Sequence, residues 1–507
     1  MKGVYRTNRF TRTARLRPYR PGFPSRGSAA VALALVLALW VARGSAAPAP
    51  GAPGIGPAPP GAPAPAAPNL PVREPLRPQP PDVLKAVEPN GLRLLAKPNP
   101  ASDIVAIDCL VRVGLREEPE EQAGIAALLG EAAIRGTDRH RAAQMPAAVA
   151  DVGGALEVTP GFDFTELTLA TTRDRFPQAL ELLAEVLGSA SLEPAAIEAG
   201  KAALKHRIAA LDDDLTSSSY QELLLQMYPT TPYGRPVPGY PSSLDRIGRK
   251  ELEAFYHAHY VQNNMVVAVV GNIETEAAVQ KTRKAFDRIP FRPHPAEPAL
   301  PPPDFSRPRL AMRRRPAPAA QVMLGTLAPP TTVETYPTWT VLDAIIGGGK
   351  RARLFTTLRE KYGIGYMLGS FYQPLLDGGH LVAYVVTEAY RADPQTQVPE
   401  LALDVVRNRM LEQFQSLAEH GPTEAELQRA KSYTIGGFAR QHERNRDQAH
   451  WLVWMEAMGL GYSFDRDLPG KIAAVTKEQI QQASKDCLNH YALVVTIPTP
   501  DFGSEAP

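Results

Sequence analysis

Proline divides this chain, and the pieces between the divisions repeat. Residues 48–81, PAPGAPGIGPAPPGAPAPAAPNLPVREPLRPQPP, are dominated by Pro, Ala and Gly and hold much of the chain's 51 prolines. Such a segment has too little apolar side chain to bury a core and reads as an extended tether. A second proline-rich stretch, RPHPAEPALPPPDFSRP at 292–308, has the look of an interdomain linker, with its centre at 296–304. These stretches isolate two blocks, 82–295 and 305–500. Both open with two strand-like runs around a turn: GLRLLAKPNPASDIVAIDCLVRVG in the first, RLAMRRRPAPAAQVMLGTLAPP in the second. Both continue with a long apolar helix, at 174–190 in the first block and LALDVVRNRMLEQFQSLAEHG in the second, followed by a further helix. Both close with a capped helix that runs into a strand. The expectation is an α+β fold: two homologous mixed α/β domains, each an antiparallel-leaning sheet with packed helices, forming a clam-like pair across a cavity.

Composition narrows the function classes. An apolar content of 44% supports cores of this size, and a net charge of +2 gives no reason to expect a nucleic-acid partner. The positive charge is concentrated in RTNRFTRTARLRPYRPGFPSR at 6–26, ahead of the apolar run AAVALALVLALWVA at 29–42 and the small residues Ser45-Ala46-Ala47. This order reads as a secretory signal over 1–47, with an uncleaved membrane anchor through 29–42 as the alternative. Either way the chain is expected to be exported, to the periplasm or the extracellular side. The two cysteines, Cys109 and Cys487, read as separate buried thiols.

Three motifs carry a resemblance. VGLREEPEEQAGIAALLGEAAIRGT (113–137), YGRPVPGYPSSLDRIGRKELEAFYHAHYVQNNMVVAVVGNI (233–273) and IIGGGKRARLFTTLREKYGIGYMLGSFY (345–372) resemble, in order, the signatures of the pitrilysin/insulinase family, which includes the mitochondrial processing peptidases. In active members the first motif is His-x-x-Glu-His. That spacing places two imidazoles on one helix face to hold zinc, with a carboxylate to activate water. Here the stretch Gly124–Thr137 reads as an amphipathic helix with a Gly-Thr stop, and the family positions become Ala127, Gly130 and Glu131. The distal glutamate position falls near Arg207 in ALKHRIAAL, and a cation there would repel zinc. The resemblance therefore implies a non-catalytic subunit with no cofactor of its own, zinc being expected only in a partner.

The remaining histidines offer no substitute. His257 and His259 are two apart on a helix and point in different directions; His442 and His450 read as a solvated polar face. GGGK at 347–350 lacks the spacing of a phosphate loop and reads as a turn, and EEPEE at 117–121 reads as a solvated loop. In related two-subunit bacterial peptidases the second domain of the non-catalytic partner supplies an arginine and a tyrosine that grip substrate. The matching residues here are Arg359 and Tyr366 in LREKYGIGY. The implied function is an exported pseudo-peptidase that pairs with a zinc-bearing homologue in a peptide-degrading or peptide-processing heterodimer. The alternatives are a peptide-binding or assembly scaffold, the core subunits of the cytochrome bc complex being similar members without catalysis although export argues against that particular complex, and an active zinc peptidase with displaced ligands.

Overall fold

A computed structural model describes residues 83–499, apart from 299, 304, 306, 389 and 393–398. The expected signal or anchor and the tether lie outside the described residues. Among the described residues no helix is long and apolar enough to cross a membrane.

The first half contains β1 (Leu84–Val87), β2 (Arg93–Pro98), β3 (Ile104–Val111), α1 (Ile125–Ala133), α2 (Met145–Asp151), β4 (Ala155–Pro160) and β5 (Thr165–Thr172). It continues with α3 (Phe176–Gly188), α4 (Pro194–Asp213), α5 (Leu215–Met227), α6 (Pro241–Arg246), α7 (Arg249–His259), β6 (Met265–Gly271) and α8 (Thr275–Phe286). The second half contains β7 (Arg309–Pro316), β8 (Ala320–Leu327), α9 (Thr335–Gly347), a π-helical segment (Phe355–Lys361), β9 (Met367–Gln373) and β10 (His380–Thr387). A short ribbon of β11 (Tyr390–Ala392) and β12 (Pro399–Leu401) precedes α10 (Ala402–His420), α11 (Glu424–Arg440), α12 (Asn445–Ala457), α13 (Phe464–Ala474), α14 (Lys477–Asn489) and β13 (Tyr491–Thr499).

The duplication is a duplication of topology. The strand orders are β1-β2-β6-β3-β5-β4 and β7-β13-β8-β10-β9. Neither β2 and β3 in the first half nor β7 and β8 in the second are neighbours. The closing strand, β6 or β13, inserts between them, parallel to the first and antiparallel to the second. The other pairings within the two sheets are antiparallel. The caps that launch the closing helices are as the sequence implies: Gly248 N–H donates to Glu251 (3.0 Å), and Thr476 Oγ1 accepts from Gln479 N–H (3.3 Å).

Strand alternation then decides what each sheet face must meet. On β3, Val105, Ile107, Cys109 and Val111 face a core formed with helices of the first half, α1, α3, α7 and α8. The alternate residues Ala106 and Leu110 belong to a different core, which contains Leu452, Val453 and Met455 of α12. The inner face of the first sheet is thus covered by a helix of the second half. The reverse also holds: α5 of the first half places Tyr220, Leu223, Leu224 and Met227 against Met323, Val382 and Val494 of the second sheet. Burying a side chain of this size contributes about 1.5–3 kcal/mol, so neither half has a complete core alone. The expected cavity between the halves measures about 190 Å³ and is lined from one side by Leu110, Phe162 and Glu166 and from the other by Phe371, Tyr384 and Trp454. Both cysteines are free and buried.

A polar clamp fastens the α5 crossing. His380 at the start of β10 is fully buried; Tyr220 Oη lies 2.6 Å from its Nε2 and Tyr228 Oη 3.1 Å from its Nδ1. Burial holds the imidazole down at about 3. The unfolded chain takes up a proton near the ordinary histidine value while the folded chain does not, so this site costs stability as pH falls from about 6.5 towards 3. Replacing His380 by Asn is therefore expected to flatten the pH dependence of unfolding free energy by about one proton, or ~1.4 kcal/mol per pH unit, between pH 6 and 4. Urea titrations at several pH values check this, and parallel slopes for the two proteins would contradict it.

Candidate functional site

Helix α1 is not amphipathic as expected: all nine residues of Ile125–Ala133 are buried. An all-round apolar helix of this kind is an interior one. It also stops earlier than the Gly-Thr pair, with Ile134 as its last, capping residue. Its start is fixed by Glu118, whose carboxylate oxygens accept from Gly124 N–H (2.8 Å) and Ala126 N–H (3.0 Å). Glu118 is buried and Glu117 half-buried, so this part of the acidic run is an internal helix cap and not a solvated loop. Burial pushes the Glu118 carboxyl up to about 8, against the pull of those two N–H groups. Gly124 sits at φ 90°, and a Cβ there would meet Pro238 O at 2.7 Å, so the second motif packs directly on the first.

The three degenerate positions are close-packed. Ala127 is fully buried. A Cβ on Gly130 would lie 2.7 Å from Val158 Cγ2 of β4, a short, stiff side chain that cannot swing away. Glu131 is buried and its carboxylate is bonded on both oxygens: Arg135 Nη1 donates to Oε2 (2.9 Å) and Arg207 Nη2 donates to Oε1 (2.9 Å). Gly200 of α4 permits this approach, since its Cβ position is 3.1 Å from Leu128 and 3.5 Å from Glu131 Cβ. The two positions that would supply a histidine and the distal glutamate are thus brought together, but as an ion pair. Two half-buried guanidinium groups surround one carboxylate. Zinc requires several electron-pair donors converging on one point; here there is one, already neutralised, among cations. The residues present do not fit a zinc ion at this place.

The second candidate pair lies on the second half. Arg359 lies exposed in the last turn of the π-helical segment, and its Nη1 donates to Gly365 O (3.0 Å). Gly363 and Gly365 take left-handed conformations (φ 67° and 77°), which turn the chain sharply and lift Tyr366 to 63% exposure. The structure therefore brings Arg359 onto the loop that carries Tyr366, with the phenol free to meet another molecule. The GGGK stretch is a turn, Gly349 being left-handed at φ 86°.

The histidines divide. His259 is buried against Phe255, and burial holds it down at about 4. His442 bonds Asp465 (2.6 Å), and His450 bonds Glu166 of the first sheet (2.6 Å). Neither stands on the solvated face expected: α12 lies on the sheet and puts His450 in the contact between the halves, while His442 precedes α12 and is half-buried within the second half. Sequence reasoning did not anticipate Asp108 or Glu166. The available signal was an aspartate inside the continuous apolar run IVAIDCLV, where a buried charge needs a reason.

Comparison with known proteins follows this geometry. The sequence model described as "Insulinase (Peptidase family M16)" matches residues 93–239, and "Peptidase M16 inactive domain" matches residues 246–433. This chain belongs to the insulinase family, peptidase family M16. Within the family it is similar to an uncharacterized zinc protease of Streptomyces coelicolor (25% identical, covering 80% of this chain and 87% of the relative). A Mycobacterium leprae zinc protease is 28% identical, covering 80% and 89%. Solved structures with the same fold include a peptidase M16 inactive domain from Pseudomonas fluorescens, with a TM-score of 0.74 at 21% identity over 82% of this chain and 98% of that one. A protease from Helicobacter pylori also has a TM-score of 0.74, at 19% identity over 82% and 99%.

The packing around α1 yields a test. Gly→Ala inside a helix ordinarily gains up to about 1 kcal/mol. Gly130→Ala is instead expected to lower stability by ~1–3 kcal/mol through overpacking against Val158, and to become neutral or favourable in a Val158→Ala background. A double-mutant cycle from chemical denaturation reads the coupling; strict additivity would remove the argument that β4 closes this position.

Proposed function

We propose that this chain is an exported pseudo-peptidase of the insulinase family, acting as the non-catalytic partner of a zinc-bearing homologue in a peptide-processing or peptide-degrading heterodimer. The observation that carries the reading is the Glu131–Arg207 ion pair, which stands where the family's metal donors belong. Its relatives named zinc proteases do not argue against it, because the loss is written in this chain's own residues. A probable mitochondrial-processing peptidase subunit beta from Arabidopsis thaliana, 24% identical over 42% of this chain, is itself named as a subunit, in keeping with a two-chain arrangement. Export rests on the basic segment and apolar run at 6–42.

The retained function lies in the second half. The Arg359 guanidinium offers fork-shaped donors to a peptide carbonyl or carboxylate. The exposed Tyr366 hydroxyl donates to a carbonyl oxygen as it gains charge. Tyr366 stands on a glycine-turned loop at the outer strand β9 and Arg359 on the π-helical segment bonded to that loop, where they reach across to a second molecule without rearranging the core.

Peptidase assays on a peptide library, with this protein alone and mixed with a family member from the same organism that keeps His-x-x-Glu-His, test the reading. Activity is expected in the mixture only. Arg359→Ala and Tyr366→Phe are each expected to reduce it about 10²-fold, the lower end of the range for loss of one transition-state donor. Chelator-sensitive activity from this protein alone would contradict the proposal. Silence in both assays would favour a peptide-binding or assembly scaffold.

A further inference from the structure

The contact between the first sheet and α12 contains a second, unrelated group of donors. Asp108 of β3 faces α12, as its strand neighbours Ala106 and Leu110 do. Glu166 of β5 is the register partner of Leu110, diagonal to Asp108 on the same face. His450 comes down from α12, with Nδ1 2.6 Å from Glu166 Oε1. One donor atom from each of Asp108, Glu166 and His450 lies within 4.8 Å of the others.

The decisive member is Asp108. It is 1% exposed, and as a carboxylate it has no donor: the group that faces it is the Glu166 carboxyl, which only a protonated Asp108 can bond. The neighbouring carboxylate of Glu166 is an acceptor like itself. The nearby cation, Arg446, donates to Glu157 (2.6 Å). A buried carboxyl without a donor costs several kcal/mol as a charge and is ordinarily avoided. Burial first, and the Glu166 charge second, push the Asp108 carboxyl well above the ordinary carboxylate value. Glu166 differs: burial raises it, but the His450 charge and hydrogen bond outweigh that and hold it at about 2.

We propose that Asp108, Glu166 and His450 form a site for one divalent transition-metal ion, of the zinc class, that ties α12 of the second half to the sheet of the first. Two carboxylates balance the charge of the ion and an imidazole adds a nitrogen donor, a set suited to borderline divalent metals. Two ligand atoms at bond lengths of about 2.0–2.2 Å stand at most about 4.4 Å apart, so donor atoms within 4.8 Å of one another share one ion after small side-chain rotations that draw them together. Glu166 and His450 also line the cavity between the halves, which supplies an entry path and room for water on the remaining coordination positions. The site is remote in kind from the Glu131 locus: it uses the opposite face of the first sheet and a residue of the other half.

The test uses the full chain, stripped with chelator and then titrated with Co²⁺ followed by visible absorption, with Zn²⁺ competition and thermal unfolding in parallel. One equivalent of Co²⁺ per chain, displaced by Zn²⁺, and a metal-dependent rise in Tm are expected. Asp108→Asn, close in shape but uncharged, and His450→Gln are each expected to weaken binding at least about tenfold and to abolish the rise in Tm. Absence of stoichiometric binding in the wild-type chain overturns the site without touching the pseudo-peptidase reading. Unchanged binding in Asp108→Asn also overturns it. Binding lost in Glu131→Gln but kept in Asp108→Asn would put the metal back on α1 and overturn both.

Discussion

Each sheet of this protein has one face that its own half cannot cover, and everything else follows from how that face is closed. A sheet buried on both sides needs two layers of helix. In the first half α1, α3, α7 and α8 supply one layer, and the other comes from α12, which is far away in sequence. In the second half the borrowed helix is α5. The exchange brings polar groups on the borrowed helices into the interior: Tyr220 and Tyr228 must find His380, and His450 must find Glu166.

The same packing logic explains why the α1 locus is closed as well as chemically changed. Loss of a side chain at Gly130 lets Val158 come in, and the small Gly200 lets α4 approach α1. Glu131 and Arg207 then neutralise each other at a place where either charge alone would be expensive. A charge-balanced, close-packed interior is stable without a metal and offers nothing for one to replace.

Much of this was legible in the sequence. The repeat of strand runs, long helices and capped closing helices foretold two halves that share a five-strand order, to which the first half adds β1 at its edge. That no histidine stands at residues 127, 130 or 131 is a single-residue fact that needs no structure. What was not legible depends on long-range pairing. The opening runs of each half look like a hairpin, yet β6 and β13 come back from much later in the chain to separate them. Helix α12 carries Arg446, Asp447 and His450, and polar periodicity normally means solvent; here Arg446 and His450 face carboxylates on a sheet that the sequence places hundreds of residues earlier. Helix α1 fails in the other direction, because Glu131 counts as polar in any pattern and only the two arginines make it an interior residue. The acidic run misled for the same reason, since Glu118 is consumed by N–H groups of a helix that begins several residues on.

The proline-rich stretch between Phe286 and Arg309 is the sole covalent link between the halves. It is not loose: Arg116 donates to Pro298 O (2.9 Å), and Phe305 is buried in the α5 core. An arrangement in which two like units trade a helix is that of an exchanged dimer, here with its subunits spliced into one polypeptide. Splicing turns a bimolecular encounter into an internal one, at an effective concentration of order millimolar for a short linker. Each half therefore receives the helix it lacks without searching for it, and an apolar sheet face that would recruit strangers in a free subunit is covered by a neighbour that cannot diffuse away.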